Sequence, residues 1–227
     1  MKWRLDYIRE FITRDLRDLG ETKIDGRQIR DLLEFIASSQ GSSWNDSKAA
    51  EILNVSQRTI RRYLDLFRTA FIIRKLTLYS TNTSKRLRKA PKYFLRDSGL
   101  THALHQIYEH NELLSNPILG ASWESFALEQ TVTALQLLEE NCHTWGVQSG
   151  AEIDLVFRSR GKVYGIEFKH KESPRSTRSL TSAIETIPLE KAWIVHPGPH
   201  SYEISEKVEA VSIVNLARIR AFLASES

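Results

Sequence analysis

Two carboxylates and an ammonium recur at strand spacing in the second half of this chain. Asp154 lies in Gly150-Ala151-Glu152-Ile153-Asp154-Leu155-Val156-Phe157, and Glu167 and Lys169 lie in Val163-Tyr164-Gly165-Ile166-Glu167-Phe168-Lys169. Both runs alternate as half-buried strands do, and Arg160-Gly161-Lys162 between them reads as a hairpin turn. Period two puts Tyr164, Ile166 and Phe168 on one face and Glu167 and Lys169 on the other. Ile153, Leu155 and Phe157 share a face, leaving Asp154 opposite them. The two acids and the cation can therefore converge on one face of a two-strand ribbon. Carboxylate oxygens suit Mg²⁺ or Mn²⁺, and a nearby cation stabilises charge that develops in phosphoryl chemistry. The same pattern also describes an exposed hairpin whose outer face is simply charged.

A third carboxylate stands on a helix. Gly120-Ala121-Ser122-Trp123-Glu124-Ser125-Phe126-Ala127-Leu128 opens a helical run expected to continue to about Glu140. At ~100° per residue, Trp123, Phe126, Ala127, Leu128, Ala134, Leu135, Leu137 and Leu138 form one apolar arc. Glu124 falls inside that arc, whereas Glu129, Glu139 and Glu140 fall at its edge or beyond. An acid aimed at a core needs a partner, because burying it alone is costly. Alternatively, a Glu in a first turn favours the helix dipole and curls back to solvent.

A helix Glu, then an Asp, then Glu-x-Lys on adjacent strands resembles the core of the PD-(D/E)XK nuclease superfamily. More closely, Gly120 to about Leu216 resembles the C-terminal domain of unknown function carried by many prokaryotic AAA-type ATPases. The matching residues are Gly120, Trp123 and Glu124, then Gly150, Glu152 and Asp154, then Ile166 to Lys169. The Pro197-Gly198-Pro199 turn after Trp193-Ile194-Val195-His196 fits as well. The resemblance implies a central mixed sheet flanked by helices and a metal-dependent site for hydrolysing DNA phosphodiesters. Asp154 and Glu167 would hold the Mg²⁺. Glu124 would support the metal through water or act on the attacking water, and Lys169 would stabilise the pentacoordinate phosphate. Nuclease-like folds also serve as binding modules.

The first half carries different chemistry. Of 32 Lys and Arg and 28 Asp and Glu, residues 1–112 hold a net positive share and residues 113–227 a net negative one, within a total of +4. Between Arg58 and Arg96, Asp65 is the only acid among many Lys and Arg, which reads as a footprint for a polyanion such as DNA. Asp46-Ser47 can cap a short helix through Ala49, Ala50, Ile52 and Leu53, and Asn54-Val55 makes a tight turn. Ser56 then caps a helix from Gln57 to about Phe67 with Ile60, Tyr63, Leu64 and Phe67 on its apolar face. Gln57, Arg58, Arg61 and Arg62 lie off that face, where a recognition helix presents side chains to the major groove. Phe71 to Leu76 and Lys92 to Leu95 read as strands, and Lys85, Arg86, Arg88 and Lys89 between them would form a basic wing.

A winged helix just before the nuclease-like domain also fits the resemblance, through Arg62-Tyr63-Leu64-Asp65-Leu66 and Pro91 to Leu100. In that family the winged helix can serve the ATPase rather than DNA. No Gly-x-x-x-x-Gly-Lys-(Ser/Thr) loop occurs here, so the sequence offers no ATP site. The expectation is a shortened relative, or one whose AAA-type ATPase lies on a separate chain.

The fold expected is α/β (α+β), with a helical winged helix-turn-helix domain over residues 1–112 and a nuclease-like domain over 113–227. The charge sign changes at this boundary, and Ser115-Asn116-Pro117 follows. Cys142 is the single cysteine, so neither an intrachain disulfide nor a multi-cysteine zinc site can form. His196 and His200 are separated by Pro197-Gly198-Pro199 and share no helix face, which argues against zinc hydrolysis. No stretch reaches the ~20 apolar residues of a membrane span, and the opening residues are too polar for a signal peptide. A cytoplasmic protein without a membrane partner is expected. Two readings stand: a DNA-binding, metal-dependent nuclease, and a non-catalytic module that binds DNA or a partner on an inactive nuclease-like scaffold.

Overall fold

The computed structural model of the protein describes residues 2–15, 25–80, 90–147 and 150–225. Helices come first, and a mixed eight-stranded sheet flanked by helices follows. The chain forms two compact units. The first comprises Met1–Lys75 and Lys92–Ser125, and the second comprises Leu76–Pro91 and Phe126–Ser227.

In the first unit, α1 spans Lys2–Glu10 and runs into a π-helical turn, Phe11–Asp15. Helix α2 covers Gly26–Ser39, with Asp25 accepting from the Arg27 amide as its cap. Helices α3 (Asp46–Leu53) and α4 (Gln57–Thr69) follow, then strands β1 (Ile73–Leu78) and β2 (Lys92–Leu95). Helices α5 (Ser98–Leu104) and α6 (His110–Ser115) lead to α7 (Leu119–Leu135), which continues into the second unit. The core gathers Ile29, Leu32 and Ile36 of α2 with Ile60, Leu64 and Phe67 of α4. The polar stretch at Glu109 to Glu112 is helical and capped. It opens α6, with Glu112 Oε2 accepting from the amides of Tyr108 and Glu109. Those two bonds hold the Glu112 carboxyl below its usual range.

Two expected boundaries move for local reasons. β1 begins at Ile73 rather than Phe71, because Phe71 takes a left-handed turn (φ 57°) after α4 and leaves its ring largely exposed. α7 stops at Leu135 rather than near Glu140. Gln136 is left-handed (φ 54°), and the Leu137 amide turns back to the Val132 carbonyl as in a helix-ending motif. Leu138 thus leaves the predicted arc and is 60 % exposed.

In the second unit, β3 spans Cys142–Gly146, β4 Glu152–Ser159, β5 Lys162–Phe168, β6 Leu189–His196, β7 Tyr202–Ser205 and β8 Val208–Ser212. The strand order is β2-β1-β3-β4-β5-β6-β8-β7. β4 pairs antiparallel with β3 and β5, whereas β5–β6 and β6–β8 are parallel. Helix α8 (Arg178–Thr186) packs on β4 and β6, burying Leu180 and Ala183 with Val156, Val163 and Ile194. The other face stacks Phe157, Tyr164 and Trp193, with Phe222 of α9 (Ala217–Ser225) edge-on to Trp193. Trp145 and Trp193 are fully buried, as core tryptophans should be.

Candidate functional site

The predicted hairpin is present. Ser159 pairs with Lys162, and the two residues between them, Arg160 and Gly161, both have positive φ (50° and 79°). That geometry fits a two-residue turn whose twist matches the strands, and Gly161 adopts it without strain. The turn fixes the register Leu155 with Ile166 and Val156 with Gly165. Val163, Gly165, Glu167 and Lys169 therefore follow one another along the side that α8 covers.

Asp154 sits at an irregularity. His143 pairs with Val156 and Trp145 with Ile153, so three steps of β4 oppose two of β3. The extra residue falls at Asp154 or Leu155, a bulge of the kind that re-aims a side chain. Simple alternation would place Ile153 away from the α8 side, yet Ile153 is buried with Val156 and Val163 there. The buried Asp154 carboxylate turns in toward β5, and its Oδ2 accepts the Phe168 amide at 2.9 Å. It thus lies against the peptide that joins Glu167 to Phe168.

Glu167 is 3 % exposed and has both oxygens engaged. Lys169 Nζ lies 2.9 Å from Oε1, and the Thr177 hydroxyl donates to Oε2 at 2.7 Å. Thr177 is also the N-cap of α8, its Oγ1 accepting from the Leu180 amide. Lys169 itself is partly exposed, and its amide donates to the Val195 carbonyl of β6. Asp154, Glu167 and Lys169 are thereby held around the C-terminal end of β5. In open α/β sheets the carboxyl ends of parallel strands are where ligands bind. His170, the next residue, is exposed.

Glu124 belongs to the first unit. It is half-buried, and a Cβ on Gly41, which has φ 72°, would come within 3.1 Å of its Oε2. Glu129, expected at the edge of the arc, is buried. Sequence reading missed Thr177. Its signal was the capping position itself, a Thr just ahead of the helical run Arg178–Thr186.

The basic half sorts differently. α3 is capped by Asn45, whose Oδ1 accepts from the Ser47 and Lys48 amides, rather than by Asp46-Ser47. Asn54 closes α3 in the left-handed region, and Ser56 caps α4 by accepting from the Thr59 amide. Ile60, Tyr63, Leu64 and Phe67 are all buried, and Gln57, Arg58, Arg61 and Arg62 are all exposed. Two of these four reach back to α3: Gln57 Nε2 to Ser47 Oγ at 3.0 Å, and Arg61 Nε to Asp46 Oδ2 at 2.7 Å. Arg62 lies 5.3 Å from the Tyr63 ring centroid. Within the basic run, Arg74 and Lys92 are buried rather than on the surface. Lys85, Arg86, Arg88 and Lys89 lie outside the described residues.

Two carboxylates at a strand end fit a hard divalent ion that takes its remaining oxygens from water or phosphate. Among the described residues no three His, Cys, Asp or Glu side chains gather into a metal cage. No helix among them is long and apolar enough to cross a membrane.

An uncharacterised protein of Mycobacterium tuberculosis is 39 % identical over 209 residues, 92 % of this chain and 47 % of the relative. A Mycobacterium bovis protein matches equally, and an uncharacterised Haemophilus influenzae protein is 33 % identical over 164 residues, 69 % of this chain and 38 % of that relative. The chain spans about half the length of the mycobacterial relatives it matches. No solved structure matches it. Residues 1–111 match a domain of unknown function (DUF8612), and residues 119–216 match another (DUF4143). The chain thus carries a DUF8612 region followed by a DUF4143 domain, and the candidate site lies in the latter.

Proposed function

We propose that this is a DNA-binding protein of the cytoplasm whose second unit hydrolyses DNA phosphodiesters with the help of Mg²⁺ or Mn²⁺. The observation that carries the reading is the arrangement at the end of β5. Asp154 Oδ2 lies at the Glu167–Phe168 peptide, and Lys169 Nζ lies 2.9 Å from the Glu167 carboxylate. Asp154 and Glu167 would hold the ion, which when bound would polarise the phosphoryl oxygen and make a water more nucleophilic. Lys169, the most exposed of the three, would swing its ammonium from Glu167 to the phosphate as charge develops there. The Thr177 hydroxyl would keep Glu167 oriented throughout. The resemblance to PD-(D/E)XK enzymes adds Glu124, whose share is tested by Glu124→Ala. In the same reading α3, α4, β1 and β2 form a winged helix, with Arg58 and Arg62 meeting phosphates from the exposed side of α4. An AAA-type ATPase on a separate chain is the proposed protein partner, since no Gly-x-x-x-x-Gly-Lys-(Ser/Thr) loop occurs in this sequence.

The test is cleavage of supercoiled plasmid and single-stranded DNA with Mg²⁺ or Mn²⁺ against an EDTA control. Cleavage by the wild type that disappears in Asp154→Ala supports the reading; equal cleavage by both overturns it. One observation favours a non-catalytic binding module instead. Three carboxylate oxygens, Asp154 Oδ2 and both of Glu167, already have protein donors. Tight DNA binding with no metal-dependent cleavage would select that second reading.

A further inference from the structure

The segment joining β5 to α8 leaves the candidate site at Lys169 and returns to it at Thr177, so both ends touch Glu167. It carries Lys171 and Arg175, and Arg178 follows at the first position of α8; all three are exposed. Residues 113–227 hold eleven Lys and Arg. Eight have a polar partner. Lys162 meets Glu190, Lys191 and Arg218 meet Glu209, and Lys169 meets Glu167. Arg158 donates to the Tyr79 hydroxyl, Arg220 to Gln136, and Arg160 and Lys207 to backbone carbonyls. Among the described residues, Lys171, Arg175 and Arg178 are the three side chains left without one.

The segment is nevertheless fixed. The Lys171 amide donates to the Lys169 carbonyl, and the Tyr202 hydroxyl donates to the Pro174 carbonyl at 2.7 Å. Pro174 is buried. The Glu172 carbonyl packs so closely on Gly198 that a Cβ there would overlap it. Mobile charged loops lose backbone freedom when they bind, whereas the backbone of this one is already held. Exposed cations on a held backbone, beside the candidate site, match the charge of a polyanionic strand.

We propose that the segment from Lys169 to Arg178 is a second DNA-contacting surface, on which Lys171, Arg175 and Arg178 take the phosphates flanking the site. This deepens the nuclease reading and rests on it for the identity of the strand. It also places DNA contacts in the half of the chain whose net charge is negative.

The experiment measures fluorescence anisotropy of the full chain with a labelled single-stranded oligonucleotide, in EDTA, from about 50 to 200 mM salt. The variants are Lys171→Gln/Arg175→Gln/Arg178→Gln, and the same three changes combined with Arg58→Ala/Arg62→Ala. Neutralising three phosphate contacts lowers the salt slope by about three. Across that salt range this corresponds to a roughly tens-of-fold smaller change in affinity. Arg175→Lys/Arg178→Lys should keep most of the binding, and circular dichroism of each variant confirms its fold. An unchanged slope in the folded triple variant, or no DNA binding by the wild type, overturns the proposal. So does a loop-dependent affinity for anionic vesicles that exceeds the affinity for DNA. Loop-dependent DNA binding without metal-dependent cleavage leaves the surface standing and removes the nuclease reading. Asp154-dependent cleavage that ignores the loop variant does the reverse.

Discussion

The basic end of α4 and the acidic end of β5 solve opposite problems. On α4 the charges stay in water, and the ties to α3 are exposed: Arg61 is 64 % exposed where it meets Asp46. At β5 the two carboxylates are buried, and each oxygen described is met by a donor. An exposed pair is worth little, because water and salt already screen it. A buried carboxylate must be satisfied or it destabilises the fold. Changes at the first place should therefore alter binding more than stability. Changes at the second should alter both.

The largest effect is expected at Asp154. Asp154→Ala removes the acceptor of the Phe168 amide and should cost about 1–3 kcal/mol in urea unfolding, along with all metal-dependent cleavage. Asp154→Asn retains an acceptor oxygen and should recover most of the stability but not the cleavage. If Asn restores no stability, the carboxylate's role at the bulge is wrongly drawn. Next comes Lys169→Met, which strands Glu167 beside Thr177 alone. Lys169 is 38 % exposed, so the cost should fall between the ~0–1 kcal/mol of a surface pair and the ~3–5 kcal/mol of a broken buried one. Glu167→Gln in the Lys169→Met background should cost less than the two single changes summed, since the partners share one interaction.

The expectations that held were those set by short-range pattern. Alternation and a basic-glycine turn were enough to find β4, β5 and the acids on them, because hairpin register follows from turn length. The apolar face of α4 was legible for the same reason, since four residues at helical spacing all face one core. What alternation could not reveal was the extra residue near Asp154, because a bulge is decided by pairing with β3, far off in sequence. The end of α7 was missed because leucines at 137 and 138 continue the period while Gln136 has already left the helix. Two residues of the basic run lie inside rather than outside. Composition counts Arg74 and Lys92 with the rest, whereas strand pairing and packing bury them.

A smaller effect concerns pH. Burial holds the imidazoles of His102, His143 and His196 below the ordinary value of 6.5, with Arg4 adding to this at His102 and Arg158 at His143. The folded chain therefore binds fewer protons than the unfolded one just below that value. Stability should be full above about pH 6.5 and decline as pH falls toward the lower folded values. A thermal midpoint that rises on acidification from pH 7.5 to 5.5 would contradict this. His196→Gln, in the second unit, should flatten the decline.

The smallest effect is expected at the exposed tie on α4. Arg61→Ala should change stability by less than ~1 kcal/mol. Arg58→Ala and Arg62→Ala together should each remove about one phosphate contact from the salt dependence of DNA binding. Arg61, held toward Asp46, should remove less. Equal slopes for all three would mean that the tie opens on DNA.

One hydroxyl links the strand end to the helix that covers it. Thr177 donates to Glu167 and accepts from the Leu180 amide, so whatever takes hold of Glu167 also tugs at the first turn of α8. The Leu180 proton is then a built-in reporter. Its hydrogen–deuterium exchange should slow when a divalent ion or a DNA strand engages the site, and quicken in Thr177→Val, with no label needed near the chemistry.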